Sequence, residues 1–169
     1  MLISEKYKEE QEKLHENPNY GVASISYAPL VTTFINTLEV KELLDYGAGK
    51  GRLAHCIKPD HELKIEMYDP VTFPEKPEPR QMVCCIDVLE HIEPDLIDNV
   101  LDDLKKLTLQ YGFFTIHTGP AVKVLSDGRN AHLIQEDFRW WLPKIWERFD
   151  IHSYSQTPGG FYVVVKAWP

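Results

Sequence analysis

Apolar residues recur along this chain with two different periods. Leu30, Val31, Phe34, Ile35 and Leu38 fall at three- and four-residue spacing, which predicts a helix from about Ser26 to Leu38 with Ser26 as its N-cap. Ile3, Tyr7 and Leu14 mark a weaker, charged helix over residues 1 to about 16, closed by the turn Asn17-Pro18-Asn19-Tyr20-Gly21. Together residues 1–38 read as a helical cap, in which Tyr20 and Tyr27 are read as packing residues. Shorter patterns predict strands: Leu43-Leu44 closing on Asp45, the alternating run His61 to Asp69, the apolar run Gln81 to Asp87, and Gly112 to Thr118.

Between these strands lie further helices and breaks. Leu96, Ile97, Val100, Leu101, Leu104 and Leu107 predict a helix from Pro94 to about Leu109, with acids early and Lys105-Lys106 late to match its dipole. Prolines at 74, 77 and 79 forbid a helix over Val71 to Arg80 and oppose a central strand there. After the polar loop Gly119 to Gln135, the stripe Phe138, Trp141, Leu142, Ile145, Trp146 and Phe149 predicts a helix that Pro143 should kink or split. A hairpin ends the chain, Phe149 to Tyr154 and Phe161 to Ala167, joined through Pro158-Gly159-Gly160. Strands alternating with helices, then a hairpin, predict an α/β fold: a three-layer open sheet.

Length and charge narrow the function. At 169 residues the chain fits a single domain able to bury a core. No run reaches membrane-spanning length, and the N-terminus lacks the apolar segment of a signal peptide. Cys56, Cys84 and Cys85 are an odd number without metal-type C-x-x-C spacing, which points to a reducing compartment, the cytoplasm. The net charge of −8, with no concentration of Lys and Arg, disfavours a long nucleic acid and favours a small-molecule acceptor.

The chemistry centres on Asp45-Tyr46-Gly47-Ala48-Gly49-Lys50-Gly51, between the first strand and a helical stretch from Leu53 to Ile57. Strand, glycine turn and helix let a backbone approach a ligand closely. A dinucleotide G-x-G-x-x-G fails, because its third glycine falls on Arg52. A phosphate-binding P-loop fails too, since position 44 is Leu and Gly51 stands where Ser or Thr is needed. What remains is acid-x-G-x-G-x-G. That pattern resembles the S-adenosyl-L-methionine (SAM) loop of the class I, Rossmann-like methyltransferases.

Two further features carry the same resemblance. Asp69 ends the second strand, eighteen residues beyond Gly51, where nucleoside-binding sheets place an acid on the ribose hydroxyls. Asp87-Val88-Leu89-Glu90-His91 follows an apolar strand and is similar to the D/E-V-L-E-H phrase of ubiquinone-type O-methyltransferases and small-RNA 2′-O-methyltransferases. The resemblance implies a mostly parallel sheet whose last strand is antiparallel, with its third-strand edge reduced. It implies cofactor binding by Asp45, Gly47, Gly49, Gly51, Asp69, Pro70 and Asp87. Glu90 and His91 become the candidate catalytic residues. Asp87, Glu90, His91 and the later His132 become candidate ligands of a divalent metal (Mg, Mn or Zn). The plainer alternative makes Glu90 a helix-start acid and His91 a general base or a structural residue.

Arg129 and Asn130, in the loop beside His132, and Trp141 on the helix beyond it are candidate substrate contacts. There is no Asn- or Asp-Pro-Pro-aromatic segment and no Pro-Cys nucleophile, and Cys84 and Cys85 sit mid-strand, so an oxygen acceptor is the remaining choice. The expectation is SAM-dependent O-methylation of a small-molecule or sugar-like hydroxyl. The alternatives are an RNA 2′-O-methyltransferase or a non-catalytic SAM-binding module.

Overall fold

The computed structural model describes residues 1–17 and 19–168, so Pro18, in the first predicted turn, lies outside the described residues. Its centre is one six-stranded sheet. The strands are β1 (Glu42–Tyr46), β2 (Lys64–Tyr68), β3 (Arg80–Ile86), β4 (Thr108–His117), β5 (Phe149–Thr157) and β6 (Gly160–Ala167), in the spatial order β2-β1-β3-β4-β6-β5. The first four are parallel, and β6 is antiparallel to both β4 and β5.

Adjacent residues of the central strands are buried on opposite faces, which is why these strands read as continuous apolar runs. Leu43, Met82, Cys84, Phe113 and Val164 pack on one side, beneath α2 (Ala23–Thr37) and α3 (Arg52–Cys56). Leu44, Val83, Cys85, Phe114 and Val165 pack on the other, beneath α4 (Ile97–Leu107) and α5 (Phe138–Trp146). The three cysteines are free, and burial pushes the Cys84 and Cys85 thiols well up. No helix of the described residues is long and apolar enough to cross a membrane.

The N-terminal helix α1 (Glu5–His15) starts at the Ser4 cap, whose hydroxyl also donates to Glu93 at 2.7 Å. It packs Tyr7 against Leu125 and Ala131 of the long loop after β4. Tyr27 packs edge-on to Phe113.

Several local expectations need correcting. Helix α2 begins three residues before Ser26, which is no cap: its hydroxyl sits in the first turn and donates to the Ala23 carbonyl at 2.7 Å. Pro143 does not split α5, because the helix is capped by Asp137 and anchored by buried Trp141 and Ile145. The carbonyl that proline leaves unpaired belongs to exposed Arg139, where water can satisfy it. The helix predicted from Pro94 opens as a 3-10 turn, becomes α-helical at Ile97 and gives way to β4 at Thr108.

Between β2 and β3 no helix or strand intervenes, as the prolines required; Asp69 and Phe73 form one isolated bridge. The sheet therefore ends at β2, which is nowhere fully buried. Tyr46 and Tyr68 fill the space, ring centroids 5.1 Å apart, and the Tyr46 hydroxyl donates to Asp103 at 3.1 Å. Leu2 packs against the same cluster, and the Met1 carbonyl accepts from Asn99 at 3.1 Å.

Candidate active site

The carboxyl ends of β1, β2 and β3 open into one cavity, walled by Asp45, Gly47, Gly49, Asp69, Pro70, Asp87 and His91. The glycine turn fits the space by adopting positive φ at Gly47 (+76°), Gly49 (+54°) and Gly51 (+67°). The Gly47 and Ala48 N–H groups both donate to the Tyr68 carbonyl, at 2.8 and 2.9 Å, and the Gly49 N–H donates to Asp69 at 3.1 Å. These donors are spent within the turn, so the loop offers a bare backbone surface rather than a phosphate cradle. A Cβ on Gly47 would strike the Val88 methyls, whereas one on Gly49 would meet only His15, at 3.7 Å. Gly51 is not on the cavity wall. It starts α3, and a Cβ there would lie 2.8 Å from the Met67 sulfur, so its role is to let the turn close.

Asp45 is 3 % exposed and its Oδ2 has no hydrogen-bond partner. Burial, reinforced by the Asp69 charge, pushes its carboxyl up to about 7. A buried oxygen of this kind facing a cavity is matched by a cationic or hydrogen-bond-donating ligand. Asp69 lines the cavity; its Oδ1 accepts from Val71 N and Thr72 N at 2.9 and 3.1 Å, and its Oδ2 accepts from Gly49 N and keeps one lone pair.

The end of β3 carries the second half of the site. Asp87 stands at φ +59°, its N–H donating to Thr115 Oγ1 at 3.0 Å. His91 turns Nδ1 to the Ala131 carbonyl (2.8 Å), and His132 turns Nδ1 to the Gly119 carbonyl (2.7 Å). A carbonyl can only accept, so both Nδ1 atoms carry a proton, and in the neutral ring the lone pair falls on Nε2. Burial holds the His91 imidazolium down to about 4, against the opposing pull of Asp87. One ligand atom each from Asp87, His91 and His132 lies within 4.8 Å of the others.

Glu90 does not join that set. Its carboxyl points inward and accepts the His117 N–H at 2.6 Å, while full burial, with Asp87 adding, raises its pKa well above the usual range. Its hydrogen bond ties the turn after β3 to the end of β4.

The proposed substrate contacts lie elsewhere. Trp141 is fully buried in the core beneath the sheet. Arg129 pairs with Asp127 at 2.7 Å and lies over the Tyr7 ring, outside the cavity. The Asn130 amide staples its own loop, donating to the Ala121 carbonyl and accepting from Ala121 N and His132 N, each at 2.9 Å.

The cavity is covered instead by residues not named as site candidates from the sequence. Tyr7, Gln11 and His15, one face of α1, roof the cavity with Tyr20. Gln11 donates to the Tyr7 hydroxyl at 2.6 Å and accepts from Tyr20 at 3.1 Å. The i, i+4, i+8 spacing of Tyr7, Gln11 and His15 was the available signal.

No family model matches the chain. No curated protein matches it. Among solved structures it is similar to the mitomycin 7-O-methyltransferase MmcR (TM-score 0.67, 15 % identity, 96 % of this chain and 60 % of that one). It is also similar to the Burkholderia thailandensis 1,6-didemethyltoxoflavin-N1-methyltransferase, solved with 1,6-didemethyltoxoflavin and S-adenosylhomocysteine (0.66, 14 %, 97 % and 90 %). An O-methyltransferase family protein from Burkholderia thailandensis scores 0.64 at 9 % identity, over 98 % of this chain and 63 % of that one. The chain thus spans under two thirds of two of these three proteins. Together, strand order and neighbours establish the fold: a class I methyltransferase-like sheet reduced at its third-strand edge.

Proposed function

We propose that this chain is a SAM-dependent methyltransferase acting on a hydroxyl of a small molecule. The observation that supports it most is that one cavity brings together the glycine turn, the carboxyl groups of Asp45, Asp69 and Asp87, and the His91 imidazole. Bound SAM would supply an electrophilic methyl group on sulfur. Asp45 Oδ2 takes the ammonium of its amino-acid end, Asp69 accepts from the ribose hydroxyls, and Val71, Val88 and Ile92 give the flat base an apolar wall. Gly47 and Gly49 let the chain pass close to the ligand.

A hydroxyl, unlike an amine, must lose its proton as it attacks. His91 is placed to receive it: neutral, Nδ1 locked, Nε2 lone pair bare. Asp87, His91 and His132 also suit a divalent cation (Mg, Mn or Zn), since two oriented imidazoles and a carboxylate are hard-to-borderline donors. Such a cation would supply Lewis acidity that lowers the acceptor's pKa. Much of the remaining acceleration comes from alignment of acceptor oxygen, methyl and sulfur beneath the Tyr20 and Gln11 roof.

The test is transfer of a labelled methyl group from SAM to a panel of small hydroxylated acceptors, with and without EDTA. Transfer to at least one hydroxyl supports the reading. S-adenosylhomocysteine binding with no transfer to any acceptor would leave a binding module instead.

A further inference from the structure

Residues 121–131 form a small two-stranded ribbon, held by the Leu125 N–H donating to the Arg129 carbonyl (2.8 Å) and the Ala131 N–H to the Lys123 carbonyl (3.0 Å). Side chains in such a ribbon alternate between faces. Ala121 and Leu125 pack inward against Tyr7, and Lys123 between them shares their face, while Val122 is fully exposed and Val124 is 58 % exposed. The apolar contacts of its two neighbours thus carry the lysine inward.

The Lys123 ammonium is closed off from solvent and has no hydrogen-bond partner among the described residues. It lies 4.7 Å from the centroid of the Tyr20 ring, whose edge meets His91 at a centroid distance of 6.0 Å. Burial and the neighbouring Lys50 cation both press its pKa down. The ring supplies one attractive face, but an ammonium has three N–H donors, and none of them is satisfied.

We infer that Lys123 binds an anionic oxygen group, a carboxylate or phosphate, delivered by a ligand beside Tyr20. Rested on the methyltransferase reading, that group has two sources: the carboxylate at the amino-acid end of the cofactor, or an acidic group on the acceptor. This assigns to Lys123 the task that the sequence suggested for Arg129, which Asp127 already neutralises. Reaching the ammonium requires the ribbon to part from Tyr20.

Calorimetric titrations on the wild-type protein and Lys123→Met test the inference. Met keeps the stem over the Tyr20 ring and removes the charge. A tenfold or greater loss of S-adenosylhomocysteine affinity, with 5′-methylthioadenosine (which lacks the carboxylate) unchanged, identifies the cofactor carboxylate. Unchanged S-adenosylhomocysteine affinity, with loss of inorganic phosphate or benzoate binding to the loaded protein, identifies the acceptor. Unchanged binding of every probe overturns the inference. A wild-type protein that binds neither nucleoside sinks the methyltransferase reading instead, and the phosphate and benzoate titrations of the unloaded protein still decide Lys123. The Lys123 side-chain nitrogen resonance of the wild type gives a readout that needs no variant: it shifts on saturation with the bound anion, and an unmoved resonance contradicts the assignment. Thermal unfolding separates a packing role, since Lys123→Met should melt no lower than wild type, whereas a lysine kept for its ring contact alone would melt lower on substitution and leave binding intact.

Discussion

His91 and His132 meet edge to face, 4.7 Å between ring centroids, each with Nδ1 turned to a backbone carbonyl. Two loops distant in sequence thereby present two lone pairs beside the Asp87 carboxylate. Backbone anchoring of the far nitrogen is the usual way a histidine is oriented for a metal or a proton. Calorimetric titration with Mn²⁺ should show one site, weakened about tenfold or more in His132→Ala and in His91→Ala. Equal binding by wild type and both variants would remove the cation from the account. His91→Ala should also lower kcat by about a hundredfold or more, because it removes the imidazole that the Ala131 carbonyl orients in the cavity.

Asp45 makes ligand affinity depend on pH. Burial pushes its carboxyl up to about 7 in the folded protein, so Asp45 is mostly protonated below that pH. An ammonium ligand prefers the ionised form. S-adenosylhomocysteine affinity should therefore rise with pH up to about 7. Asp45→Asn should flatten this rise. The linkage has the opposite sign for stability: a carboxyl raised on folding costs stability progressively as pH rises from about 4 through about 7. Asp45→Asn should accordingly raise Tm at pH 8 and change it little at pH 4, by thermal unfolding at both pH values.

Gly47 and Gly49, both at positive φ in the cavity wall, should respond differently to alanine. Gly47→Ala pays for the left-handed backbone and for collision with Val88, about 2–4 kcal/mol together. Gly49→Ala has room in the free protein and should cost only about 1–2 kcal/mol. Its effect should appear in S-adenosylhomocysteine affinity, lowered tenfold or more, because the added methyl enters the cavity. Denaturant unfolding and calorimetry on both variants check the contrast.

The roof is held by a clasp. Glu10 accepts from Ser126 N (2.7 Å) and Ser126 Oγ (2.6 Å) and pairs with Lys13 at 2.8 Å. The Lys13 ammonium first, then Ser126, hold the Glu10 carboxyl down to about 2. A carboxyl depressed on folding contributes stability that is present above its ordinary pKa and lost as pH falls toward the folded value. Hydrogen exchange of the α1 amides should therefore accelerate between pH 4.5 and 2 beyond the intrinsic pH effect. Ser126→Ala should accelerate it at neutral pH; unchanged protection would mean that α1 is held by Tyr7 packing alone.

Most of the frame was legible because its signals are local. The doubly buried strands read as apolar runs, and the prolines at 74, 77 and 79 announced the missing strand edge. The glycine turn, Asp69 and the phrase from Asp87 to His91 marked strand ends, where this kind of sheet gathers its ligands. Orientation was not legible. Glu90 and His91 are adjacent, yet one turns to the His117 backbone and the other to the cavity. Asn130 and His132 are two apart, yet one staples the loop and the other joins His91. Lys123 carried no signal in the sequence, because only the bridge between Val124 and Asn130 decides which face it takes. Trp141 fits a pocket wall and a core stripe equally well by spacing, and tertiary packing chose the core.

Titration calorimetry of S-adenosylhomocysteine at pH 7.5 tests the central claim most directly. One site per chain is predicted, with Kd in the micromolar range (about −8 kcal/mol), lost or strongly weakened in Asp69→Ala and retained in Arg129→Ala. Absence of heat with that ligand, alongside binding of a nicotinamide dinucleotide or a nucleoside triphosphate, would contradict it.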